Sequence, residues 1–183
     1  RMIRKTIVLL MACLLSLGMQ AQSVFRFAQL TDLHLSPNNP NPTEDLLRSV
    51  AQINATDNID FVLVTGDITE EGDRATMEKV KSCLDLLKVK YYVALGNHET
   101  KWSDSGCTAF GEIFGSERFE FEHKGFLFLG FNSGPLMRMA YGHVVPQDIR
   151  WMTERMEQAG KDKPVILVSH YPMKDGDGDN WYE

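Results

Sequence analysis

Four short stretches of the 183-residue chain bring together residues that can hold a metal ion. They are Asp32-Leu33-His34, Gly66-Asp67, Gly96-Asn97-His98-Glu99 and Ser169-His170. Carboxylates, imidazoles and a carboxamide are oxygen and nitrogen donors, and no cysteine lies within these motifs. Such a set suits Fe, Mn or Zn; Mg and Ca are less suited to the histidines. A thiolate zinc site is excluded.

Each stretch follows an apolar run: residues 25–30, 61–65, 91–95 and 165–168. The run at 61–65 is the organising one. It is short, rich in β-branched residues and stops at a glycine and a carboxylate, as a strand buried on both faces in the middle of a parallel sheet would. In open α/β sheets the ligand crevice lies just beyond the carboxyl ends of such strands. Gly66 lets the backbone turn there, and Asp67 then points into the crevice.

The intervening segments read as helices. Pro42-Thr43-Glu44-Asp45 marks a helix start, with Thr43 as cap and Leu46, Leu47, Val50 and Ile53 on one apolar face. Asp73 caps a second helix with Met77, Val80, Leu84 and Leu87 inward. This β-α-β-α-β alternation predicts a parallel sheet with crossover helices. Residues 101–115 show little periodicity and read as a loop. Residues 119–121 and 126–131 read as an antiparallel hairpin, with His123 exposed in its turn. A last helix over 147–158, with Ile149, Met152 and Met156 inward, ends at Gly160.

The four motifs resemble, in order, the first four of the calcineurin-like metallophosphoesterases: D-x-H, G-D, G-N-H-[DE] and H. The resemblance spans residues 31–170, and through Thr65-Gly66-Asp67-Ile68-Thr69 it is nearest to cyclic-nucleotide phosphodiesterase-like members. It implies a four-layer α/β/β/α sandwich and two divalent or trivalent metal ions (Mn, Fe or Zn). It further implies that Asp32 and His34 hold the first ion, Asn97 and His170 the second, and that Asp67 bridges both. His98 then matches the family's phosphate-contacting acid, oriented by Glu99. The implied activity is hydrolysis of small phosphomonoesters or phosphodiesters by a hydroxide bridging the ions. A nuclease or phospholipid-cleaving esterase on the same site, or a non-catalytic module retaining the fold, are the rival readings. A dinucleotide binder would need a glycine-rich turn after the first strand, and Thr31-Asp32-Leu33-His34 offers none.

The family's fifth motif, G-H-x-H, is absent. Gly142-His143 is followed by Val144-Val145 and precedes His170. The chain is therefore expected to stop short of that motif, with the second sheet incomplete and each metal one ligand short. Glu70 stands about where purple acid phosphatases carry a tyrosine, which argues against an Fe(III)–tyrosinate site.

Residues 2–22 have a basic start, an apolar middle too short to span a bilayer and a small-residue exit, the pattern of a signal peptide. Export to the periplasm or beyond is the expectation, with a lipid anchor through Cys13 as the alternative. Residues 23–183 form the phosphoesterase domain, with no transmembrane segment in the mature chain. That part carries 16 basic and 25 acidic residues, a net charge of −9. Such acidity makes a poor binder of polyanions, so no specific nucleic-acid partner is expected. Oligomeric state is not legible. Two cysteines, Cys83 and Cys107, do not make a disulfide scaffold, although one bridge between them is open to an exported chain. Asp175-Gly176-Asp177-Gly178-Asp179 imitates a calcium loop, but Asn180 takes the place of its glycine, and a flexible acidic loop is the better reading. Trp102, Phe110, Met137, Met139 and Tyr141 are candidates for a substrate wall, with closure of the core over the hairpin as an equal alternative.

Overall fold

The computed structural model describes residues 24–135 and 142–172. The leader pattern with Cys13, the acidic loop at 175–179, and Met137, Met139 and Tyr141 lie outside them.

Among the described residues, six strands form two three-stranded sheets. The first holds β1 (Phe27–Leu30), β2 (Phe61–Thr65) and β3 (Lys90–Ala94) in that order, all parallel. All five residues of the central strand are buried. The second holds β4 (Phe119–His123), β5 (Phe126–Gly130) and β6 (Val165–Val168). β4 and β5 are an antiparallel hairpin, and β6 adds to β5 in parallel.

Alternation along the strands sorts the side chains into three apolar layers, and hence the fold into four. Val62 and Val64 of β2 face one way, onto α1 (Asn41–Ala55) and α2 (Arg74–Leu84) with Leu46, Val50, Met77 and Val80. Phe61 and Leu63 face the other way, onto Phe128 and Val168 of the second sheet. Leu127 and Leu129 of β5 turn from that layer toward Met152 and Trp151 of α5 (Pro146–Ala159). The period-two side-chain pattern thus builds the expected α/β/β/α sandwich. The layer between the sheets is aromatic: Phe128 stacks on Phe121 at 4.6 Å between ring centroids, and Phe61 meets Phe128 edge-on at 5.2 Å.

Several sequence expectations are corrected. α1 starts at Asn41 without a side-chain cap from Thr43, because Pro42 needs no N–H partner in the first turn and presets the helical φ. Leu47 and Ile149 face solvent rather than the core. Residues 101–115 are not all loop: α3 (Asn97–Lys101) ends there, and α4 (Thr108–Phe114) buries Ala109 and Phe110. Two turns of helix are too short to display a readable period. His123 is half-buried against Phe25 and Phe61, with Asp60 at 3.2 Å, rather than an exposed turn residue. Cys83 and Cys107 are buried free thiols, so the bridge is not formed. Burial, with the carboxylates of Glu117 and Glu99 nearby, pushes the Cys107 thiol up to about 12. Asp73 does cap α2, accepting the Thr76 N–H at 2.9 Å. No helix among the described residues is long and apolar enough to cross a membrane.

The layer assignment makes a paired prediction. Phe128→Ala should cost about 3–5 kcal/mol by emptying the space between the sheets. Leu47→Ala, on an exposed face, should stay within about 0.5 kcal/mol. Urea unfolding midpoints of the two variants check this; equal effects would refute the layer assignment.

Candidate metal centre

The exits of β1 and β2 do not splay apart after the strands end; they continue side by side. Asp32 N–H donates to Gly66 O at 3.1 Å, His34 N–H to Asp67 O at 3.0 Å, and Leu35 N–H to Ile68 O at 3.2 Å. Asp32, His34 and Asp67 adopt positive φ values of 53°, 45° and 50°. Asp and His tolerate this region better than most residues, but each still costs roughly 1 kcal/mol or more, a cost typical of functional loops.

Two glycines set how closely the loops approach. A Cβ on Gly66, itself at φ 97°, would lie 2.8 Å from Gly96 Cα and 2.9 Å from His170 Cβ. A Cβ on Gly96 would lie 2.1 Å from Asp67 Oδ1. Only glycine permits this crossing of the β2 and β3 exits.

Asp67 occupies the crossing and is only 4% exposed. Its Oδ1 accepts the His98 N–H at 2.9 Å. Its Oδ2 faces three imidazoles: His170 Nε2 at 3.3 Å, His98 Nε2 at 3.8 Å and His34 Nε2 at 3.9 Å. Asp32 Oδ1 lies 3.8 Å from His34 Nε2, and Asn97 Oδ1 lies 3.1 Å from His170 Nε2. Each of the three rings has an oxygen beside its other nitrogen. His170 Nδ1 donates to Thr65 O at 2.8 Å and His98 Nδ1 to Glu70 O at 2.6 Å. His34 Nδ1 stands 3.0 Å from Glu70 Oε2. A carbonyl can only accept, so His98 and His170 carry a proton on Nδ1 and turn Nε2 inward, the arrangement metal-ligating histidines use.

Electrostatics follow from this packing. Burial pushes the Asp67 carboxyl up, but His170 and the His98 N–H outweigh it and hold it below the usual range. Burial pushes His170 down, and the bond to Asp67 overcomes that, holding the imidazole above its usual value.

The residues form two ligand groups sharing Asp67: His34, Asp67 and His98, and Asp32, Asp67 and His170, each with donor atoms within 4.8 Å of one another. Asp32 also lies 3.8 Å from His34, its expected co-ligand, so all of these donors cluster around Asp67. Two carboxylates at about the 4.8 Å of one group repel by on the order of 3 kcal/mol at an effective dielectric of about 20. Imidazole and carboxylate donors around that repulsion, without sulfur, fit a divalent transition metal.

The expected contact between Glu99 and the His98 ring is not made. Glu99 is fully buried, and its Oε1 accepts from Thr69 N–H at 3.0 Å and Thr69 Oγ1 at 2.9 Å, its Oε2 from Gly96 N–H at 2.9 Å. As the third residue of α3, it reaches back to the residue before the helix, so its side chain is spent on the loops. The group beside the His98 ring is Glu70, which the sequence marked only as standing in place of a tyrosine and not as a partner of His98. The available signal was its position three residues past Asp67, where the β2 exit runs alongside His34 and Leu35.

A cavity of about 660 Å³ opens over the centre, lined among others by Asp32, Asp67, Glu70, His98, Trp102 and His170. Trp102, 49% exposed with Lys101 Nζ 4.8 Å above its ring, forms part of the wall. Phe110 is core instead. His143 lines a separate cavity with Arg118 and Asp148.

The family model described as calcineurin-like phosphoesterase matches residues 25–183. A 3',5'-cyclic-nucleotide phosphodiesterase of Nostoc is 23% identical over 153 residues, covering 80% of this chain and 56% of its own length. A probable glycerophosphodiester phosphodiesterase of Arcobacter nitrofigilis is 25% identical over 126 residues, 64% of this chain and 44% of that one. A probable cyclic nucleotide phosphodiesterase of Rhodopseudomonas palustris is 25% identical over 168 residues, 82% of this chain and 58% of that one. The chain thus spans about half the length of these relatives.

The Glu99 network makes its own prediction. Each carboxylate oxygen meets a donor, so Glu99→Gln sets an NH2 group against one of them. The expected loss is about 1–3 kcal/mol of stability, read as a lower urea midpoint with unchanged slope. An unchanged midpoint would show that the carboxylate does not hold the loops.

Proposed function

The chain belongs to the calcineurin-like phosphoesterase family, and from that premise we propose that it is a metal-dependent hydrolase of small phosphodiesters, acting with two metal ions. The observation that carries the reading is the convergence of three Nε2 atoms on Asp67 Oδ2, with Asp32 and Asn97 beside them. The names of the relatives from Nostoc and Arcobacter favour diesters over monoesters.

Asp67 would contact both ions, with Asp32 and His34 on one side and Asn97 and His170 on the other. Bound there, such ions supply Lewis-acid stabilisation of phosphoryl charge and water of lowered pKa. The chain's own residues do the rest. Thr65 O and Glu70 O fix the tautomers of His170 and His98, so neither ring must reorient during reaction. In its doubly protonated form His98, lining the cavity, would give the Nε2 proton to the leaving oxygen while Nδ1–H stays on Glu70 O. Trp102 and Lys101 flank the approach. We also propose that residues 1–22 direct export, so that residues 23–183 work outside the cytoplasm.

The direct test is turnover of bis-aryl and mono-aryl phosphates by the metal-depleted protein with Mn, Zn or Fe restored. Metal-dependent diester hydrolysis is expected; tight metal uptake without turnover of either ester would sink the enzymatic reading. Asp67→Asn should lose one metal equivalent and slow hydrolysis about a hundredfold, a barrier increase of about 2.7 kcal/mol.

His98→Asn separates acid from ligand. Metal content should hold, while esters with poor leaving groups slow by about a hundredfold or more and activated aryl esters slow less. Loss of metal in this variant would instead assign His98 to the His34 and Asp67 ligand group.

A further inference from the structure

Glu70 stands beside two of the three inward-facing imidazoles, through two different parts of itself. Its backbone carbonyl accepts the His98 Nδ1 proton at 2.6 Å. Its carboxylate Oε2 stands 3.0 Å from His34 Nδ1. The main chain at Glu70 is pinned from the other side as well, because its N–H donates to Leu35 O at 2.9 Å. Close packing fixes the next turn: a Cβ on Gly72 would meet His98 O at 2.5 Å. The carbonyl is therefore held by the backbone, whatever side chain residue 70 carries.

The three histidines differ in one respect. His98 and His170 rest their Nδ1 atoms on backbone carbonyls, of Glu70 and Thr65. His34 Nδ1 is shut off from solvent and has no well-angled acceptor; the oxygen beside it belongs to a side chain. A turn of the Glu70 carboxylate about its own torsions would bring that 3.0 Å contact into line. The Glu70 side chain is 48% exposed, so pairing it with a histidine adds little to fold stability. What it can do is choose a tautomer. A carboxylate at Nδ1 favours the proton there and leaves the Nε2 lone pair facing Asp67.

We propose that the Glu70 carboxylate is the positioning residue of His34, and that residue 70 thereby sets both His34 and His98, one through its side chain and the other through its main chain. The proposal rests on the metal-centre reading for its consequence, but the tautomer is a property of the metal-free protein. Replacing the side chain should release His34 and leave His98 and His170 as they are.

The test uses the full chain with Glu70→Ala and Glu70→Gln. Ring-nitrogen NMR of the metal-free proteins, at a pH where the imidazoles are neutral, reads each tautomer. Wild type should show His34 as Nδ1–H; Glu70→Ala should mix its tautomers, and Glu70→Gln, whose side-chain oxygen can still accept, should restore it. His98 and His170 should be unmoved in both. Titration calorimetry with Mn or Zn should then show affinity reduced about 10–100-fold in one binding step for Glu70→Ala. A His34 tautomer unchanged in Glu70→Ala, or His98 moving with it, would overturn the proposal. Wild type that shows the tautomer pattern yet binds neither metal would overturn the metal-centre reading and leave the positioning role standing.

Discussion

Everything at the rim depends on how Asp67 is held. Its carboxylate is buried where the exits of β2 and β3 cross, a place that exists because Gly66 and Gly96 carry no side chain. One oxygen is fixed by the His98 N–H, and this leaves the other to face three imidazoles. A buried carboxylate without donors would be driven to its neutral form. Here the donors win, and the group stays anionic where a cation could use it.

The scaffold around that carboxylate is built by two kinds of force. Three apolar layers hold the sheets and helices at fixed separation, and they do so without direction. The polar bonds that extend past the strand ends then set the loops in register. Asp32, His34 and Asp67 accept left-handed backbone there because the paired loops leave no alternative. Glu99 belongs to this support. Its burial raises its carboxyl, opposed by the Gly96 N–H, and its bonds to Thr69 tie the start of α3 to the β2 exit. A catalytic-looking residue can thus serve the backbone beneath the site.

The second sheet contributes to the site from a distance. β6 is parallel to β5 and faces the first sheet through Val168, so its exit delivers His170 across the sandwich to Asp67 and Asn97. The two sheets must therefore be packed before the histidines can converge. Phe128 and Phe61, remote from the chemistry, set the distance over which His170 reaches.

The sequence by itself determined the strands that carry the motifs, their order and the donor chemistry of Asp32, His34, Asp67, Asn97, His98 and His170. Those features are local: an apolar run ending on a polar residue marks a strand exit, and ligand type follows from side-chain chemistry. The sandwich was legible only through the resemblance of the four motifs to the family; packing decided that Val62 and Val64 face the helices while Phe61 and Leu63 face the second sheet. Only the tertiary structure decided which side chain meets which. Glu99 was adjacent to His98 in sequence, but a helix turns successive residues to different sides, and its carboxylate went to Thr69 and Gly96. Glu70, 28 residues from His98, came to its ring because the β2 and β3 exits lie against each other. Leu47 and Ile149 fit an apolar stripe, yet face water, since a stripe does not say how much of it a neighbour will cover. Contacts between distant segments are fixed by packing and by pairing of backbone groups beyond the strands, and neither is written in the residues at one position.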